Sequence, residues 1–141
     1  MLYRKKKNLN KLPPFVPLPW ELLNHRVYIA LPFAASKALT YFLGKVKDPY
    51  NDPQRYLTEF SFSYSEAKRY GFSASTFSSV IRYLILYGLI DPVDRGGLRG
   101  CGMSKSKFKL SLRWQKYGTE DFHKIEWRCF LPRRLKSNSK M

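Results

Sequence analysis

Residues 63–87, SYSEAKRYGFSASTFSSVIRYLILY, constrain this chain most, because their capping residues, glycine and apolar positions are spaced for two short helices joined by a tight turn. Ser63 and Glu66 match a capping box, in which the hydroxyl accepts one free amide of the first turn and the carboxylate accepts another, so a helix is predicted to open at Tyr64. Ala67 leaves room for a second helix to cross closely, and Gly71 stops the first where a positive φ costs little. Phe72 is placed to pack the turn and Ser73 to cap the next helix. Along that helix Phe77, Val80, Ile81, Leu84 and Ile85 form one face, while Ser75, Ser78, Ser79 and Arg82 form the other.

The polar face is unusual for one that meets only water, since Lys and Glu are better helix formers than Ser. Short hydroxyl side chains let a helix backbone come close to a partner, and a major groove about 12 Å wide is such a partner. The alternative is a Ser-rich solvated face on an ordinary amphipathic helix pair.

Charge favours the first reading. The 141 residues carry 26 Lys and Arg against 10 Asp and Glu, a net charge of +16, which suits a polyanion such as nucleic acid or an anionic membrane surface. The apolar fraction of 44% is enough for one core. The longest apolar-looking stretch, 27–46, is broken by Pro32, Ser36, Lys37 and Lys45, short of the ~18 uninterrupted apolar residues of a membrane span. Pro13, Pro14, Pro17 and Pro19 stand where a signal peptide would place its apolar segment, so the expected location is the cytoplasm. Cys101 and Cys129 lie far apart and form no C-x-x-C, so neither a metal nor a cofactor is expected.

Three regions follow from composition: a flexible basic arm at 1–18, a folded domain at 19–122, and a C-terminal extension with a basic tail at 123–141. Within the domain, 19–27 is predicted as one short helix, with Trp20, Leu22 and Leu23 supplying apolar contacts. Residues 31–46 are predicted as a helix burying Ala35, Ala38, Leu39, Phe42 and Val46 and ending near Gly44. The two D-P steps in 47–58 read as a loop, and 59–62 as a small strand leading into the capping box. Gly88 provides a left-handed stop; Leu89, Ile90 and Val93 suggest a strand that Pro92 makes short or places at an edge. Residues 107–113 alternate, with Phe108, Leu110 and Leu112 on one side and Lys107, Lys109, Ser111 and Arg113 on the other. The resulting order is that of an α+β winged helix-turn-helix: mainly helical, with a small antiparallel sheet and a glycine-rich wing between its last two strands.

From Arg95 to Thr119 there is no acidic residue, yet Arg95, Arg99, Lys105, Lys107, Lys109, Arg113 and Lys116 lie there. Gly96, Gly97, Gly100 and Gly102 let this segment follow a nucleic-acid backbone. The run GGLRGCG matches neither a P-loop nor a dinucleotide fingerprint. Glu120 and Asp121 are the only adjacent acidic pair, and no nucleophile set can be read off, so no enzyme activity is expected.

The run 15–122 resembles small winged helix-turn-helix DNA-binding proteins of bacterial plasmids, prophages and other mobile elements. FVPLPWELL at 15–23, LPFAASKALTYFL at 31–43, SFSYSEAKRYGFSASTFSSVIRYLILYGLI at 61–90 and RWQKYGTEDF at 113–122 carry the resemblance. It implies that the second helix of the motif enters the major groove and the wing meets the flanking backbone. Ser73, Ser75, Thr76, Ser78, Ser79 and Arg82 then face DNA, with Arg95, Arg99, Lys105 and Lys107 beside them. The expected partner is double-stranded DNA, with phosphate contacts supplying most of the affinity, in a transcriptional regulator that acts as a monomer or a homodimer. The alternatives are a plasmid or phage replication initiator module and an RNA-binding basic protein.

Overall fold

The structure, a computed structural model, describes residues 13–94 and 107–125. Arg95, Arg99 and Lys105 of the expected wing lie outside the described residues, as do both cysteines and most of the expected arm and tail. Among the described residues, five α-helices and three strands occur in the order α1 (Trp20–Leu23), α2 (Arg26–Ala30), α3 (Phe33–Gly44), β1 (Phe60–Ser61), α4 (Tyr64–Arg69), α5 (Ala74–Leu86), β2 (Ile90–Asp94) and β3 (Lys107–Leu110). Short 3-10 turns at Pro53–Tyr56 and Arg113–Lys116 complete this α+β arrangement.

The sheet is antiparallel with order β1-β3-β2. Phe60 pairs with Phe108 on one side of β3, and Ile90 with Leu110 on the other. Pro92 therefore sits on an edge strand, next to a register irregularity between Pro92 and Asp94, where its missing N–H breaks little of the ladder.

The core forms where α3 and α5 pack together over the sheet. The predicted periodicity holds on both helices: Ala35, Ala38, Leu39 and Phe42 of α3 are buried, as are Phe77, Val80, Ile81, Leu84 and Ile85 of α5. Phe42 stands at the centre, with the rings of Phe62, Phe108, Phe77 and Phe60 at 4.6, 5.6, 6.0 and 6.1 Å. Offset and edge-on pairs of this kind each add about 0.5–1.5 kcal/mol beyond the area they bury. Packing reaches past 19–122 at both ends, since Leu18 and Ile125 lie half-buried against this core.

Several sequence expectations give way to tertiary contacts. The single helix predicted over 19–27 is two, because His25 takes an extended conformation (φ −80°, ψ 144°) and its Nδ1 accepts from the Val27 amide at 3.1 Å. Trp20 is 75% exposed and supplies none of the expected core contact, which falls to Leu22 instead. The alternation predicted over 107–113 stops at Leu110. There the Ser111 amide turns to the Leu89 carbonyl at 3.1 Å and the Trp114 amide to the Gly88 carbonyl at 3.0 Å. Ser111 is thereby buried and Leu112 is 41% exposed, the reverse of the strand pattern.

Gly88 makes this crossing feasible, because it has φ +84° and a Cβ there would lie 2.7 Å from the Trp114 amide nitrogen. Arg113, expected on a solvent-facing basic strand, is turned inward. Its Nε donates to Asp91 Oδ1 at 2.6 Å, and its Nη2 donates to the Ile85 and Ile90 carbonyls at 2.9 and 3.0 Å. It is a structural clamp between the end of α5 and the start of β2.

Candidate nucleic-acid interface

The α4–turn–α5 unit is fixed by the local chemistry its sequence implies. Both bonds of the capping box form: the Glu66 amide donates to Ser63 Oγ at 3.1 Å, and the Ser63 amide donates to Glu66 Oε1 at 3.0 Å. Gly71 has φ +97°, and the Phe72 amide closes the turn on the Ala67 carbonyl at 3.0 Å. Buried Phe72 then anchors the turn, and Ser73 caps α5 by accepting from the Thr76 amide at 3.2 Å.

Glu66 also ties this unit to α3 through an ion pair with Lys45. Burial raises the Glu66 pKa, but the hydrogen bond from Lys45, the Ser63 amide and the nearby charges of Lys45 and Arg69 outweigh it. The net value lies below that of an ordinary glutamate. Because the folded pKa is the lower one, the stabilisation is present above the unfolded glutamate pKa and is lost as pH falls through the folded value. Glu66→Gln is accordingly expected to lower the thermal midpoint at neutral pH and to converge with the parent protein in acid. Parallel pH profiles for the two proteins would show that the pair contributes nothing.

The polar stripe of α5 divides into two kinds of position. Ser75 and Arg82 are exposed, and Arg82 makes no ion pair among the described residues. Ser73 is exposed too, although its hydroxyl also donates to Thr76 Oγ1 at 3.0 Å, so it and half-buried Thr76 partly satisfy each other. Helical spacing places Ser78 and Ser79 at solvent, yet both are half-buried. Ser78 Oγ shares a 2.7 Å hydrogen bond with the Tyr64 hydroxyl of α4, so it locks the two helices together. Burial raises the Tyr64 pKa against the opposing effect of that bond, so the phenol keeps its proton.

Lys107, at the start of β3, is exposed as expected, whereas Lys109 is half-buried and Arg113 is withdrawn into the clamp. Lys68 and Arg69, in the last turn of α4, are exposed cations that the sequence-based contact set omits. Their signal is the KRYG run directly before the turn, where basic residues also complement the helix C-terminus. The unit thus presents Lys68, Arg69, Ser75 and Arg82 to solvent on two linked helices.

Among the described residues no group of three His, Cys, Asp or Glu side chains comes together to hold a metal ion, and no helix is long and apolar enough to cross a membrane. Comparisons with protein-family models, with curated proteins and with solved structures return no match.

Proposed function

We propose that this protein is a winged helix-turn-helix DNA-binding protein acting as a transcriptional regulator, with α5 in the major groove of double-stranded DNA. The observation that carries the reading is the exposed pair Ser75 and Arg82 on a helix fixed by a capped, glycine-closed turn, in a chain of net charge +16. Element order supports it as well: α3, β1, α4, α5, β2, β3 with sheet order β1-β3-β2 places a strand-to-strand connection directly after the helix pair. A helix about 10–12 Å across fits a groove about 12 Å wide, and a short side chain such as Ser75 lets its backbone approach the groove closely.

Arg82, about two turns further along the same face, is the one long donor there able to reach a base edge or a phosphate. Lys68, Arg69 and Lys107 serve as backbone contacts, joined by Arg95, Arg99 and Lys105 in the sequence between β2 and β3. The protein acts by binding and performs no covalent chemistry.

The test is an equilibrium titration of the full chain against labelled random-sequence duplex DNA at several salt concentrations. Binding should weaken as salt rises, with log K falling by about 0.9 per phosphate contact for each decade of salt. Absence of binding at low salt would sink the proposal. Preferential competition by A-form RNA duplex would move the function to RNA.

A further inference from the structure

Arg55 is 3% exposed and belongs to neither of the two ion pairs among the described residues. Among those residues its guanidinium makes one hydrogen bond, from Nη1 to the main-chain carbonyl of Asp48 at 3.1 Å, and lies 5.8 Å from the Tyr50 ring centroid. The Asp48 carboxylate does not reach it and is taken by the Thr58 hydroxyl. A guanidinium carries five N–H donors, so most of the donor capacity of a buried, permanently charged group is unused. Burying such a charge without a counter-ion is costly, and a native site that does so is a candidate for an anionic ligand.

The surroundings identify the ligand. Arg55 lines a cleft of about 240 Å³ together with Ser111, Leu22, Leu39, Leu110, Trp114 and the exposed Glu21, and it also borders a second cleft of about 350 Å³ beside Asp48. Ser111 is the only other buried polar residue among those described, at 7% exposure. Its Oγ accepts from the Arg113 amide at 3.0 Å, which leaves the hydroxyl proton free to donate. Two buried donors thus share a cleft whose remaining walls are mostly apolar.

One guanidinium and one hydroxyl match the single negative charge and paired oxygens of a carboxylate; a phosphate dianion would require more positive charge. The cleft lies below the ~300–1,000 Å³ typical of drug-sized ligands, so the apolar body is a short chain or a single ring. We infer that this cleft binds a small amphipathic monocarboxylate, with Arg55 holding the carboxylate, Ser111 donating to it, and the leucines and Trp114 enclosing its body. The inference is independent of DNA binding and is tested without DNA.

The experiment measures thermal midpoints and calorimetric binding of the full chain with benzoate and hexanoate. The controls are benzamide and hexanamide, which keep the body without the charge, and acetate and inorganic phosphate, which keep charge without the body. At least one of the two acids should raise the midpoint saturably, by about 5 °C at high occupancy, with its amide and both small anions ineffective. Arg55→Met should weaken that acid by about tenfold to a hundredfold, and Ser111→Ala by a smaller factor in the same direction.

No response to either acid, equal responses to acid and amide, or an equal response to acetate or phosphate would each overturn the inference. So would unchanged affinity in a folded Arg55→Met protein. If Arg55→Met does not fold, the comparison of acid with amide on the unaltered chain decides.

Discussion

Arg113→Ala is expected to destabilise the fold by about 2–3 kcal/mol, the scale for removing a partly buried charged group that makes several hydrogen bonds. The substitution removes several bonds at once, although the Ile85 carbonyl keeps the Gly88 amide at 3.1 Å. Asp91 loses its counter-ion on the edge strand, and the Ile85 and Ile90 carbonyls lose the Nη2 donor that bridges them. The His123 carbonyl loses Nη1 at 2.8 Å, one of the ties that hold the chain after the second 3-10 turn. Ile85 lies in the last turn of α5, where carbonyls have no partner within the helix, so the guanidinium also acts as a cationic cap on a helix C-terminus.

Lysine cannot reproduce this set, since an ammonium has no planar fork with which to meet Asp91 and three carbonyls together. Arg113→Lys should therefore recover less than half of the loss. Urea unfolding of the parent and both variants checks this through the midpoint at constant slope. A loss under about 1 kcal/mol for Arg113→Ala would mean that water replaces the clamp at little cost.

That arginine also marks where reading the sequence stops working. The features legible in the chain are those whose cause lies within a few residues: the Ser63–Glu66 box, the left-handed Gly71 and Gly88, and the apolar periodicity of α3 and α5. Each is decided by one helical turn or by the φ of one residue. Arg113 reads as one more cation on an alternating strand, because its partners lie 22, 28 and 23 residues earlier in the chain, at Asp91, Ile85 and Ile90.

Ser78 misleads in the same way. Helical spacing puts it on the polar stripe, but Tyr64, 14 residues away, claims its hydroxyl. Arg55 gives no signal at all in a loop segment, since its burial depends on β3 packing over the first 3-10 turn. Periodicity locates a face; which members of that face are free depends on elements that meet only in three dimensions.

The double variant Ser75→Glu, Arg82→Glu is expected to lower affinity for duplex DNA by about a hundredfold while leaving stability close to that of the parent. Both positions are exposed on α5, which is why they are chosen over the half-buried Ser78 and Ser79. Loss of an arginine contact costs about 1–3 kcal/mol, and carboxylates held against phosphates add repulsion, so the sum reaches the ~2.7 kcal/mol that a hundredfold change requires. The carboxylate introduced at Ser75 stands in the first turn of α5, where negative charge favours the helix, so a fall in stability would not explain a fall in binding.

A general loss of positive field is the competing explanation. Lys47→Glu, an exposed charge reversal just beyond α3 and outside the α4–α5 unit, supplies the comparison. It should cost only a few-fold at low salt and almost nothing at physiological salt, because exposed charges more than about 8 Å from their partner are screened there. The face variant should keep most of its deficit at that salt, since a contact pressed into a groove is poorly screened. The face variant removes three units of positive charge and Lys47→Glu two, so losses in about that proportion in log K at both salts would show that DNA responds to the net charge of +16 and that α5 reads nothing.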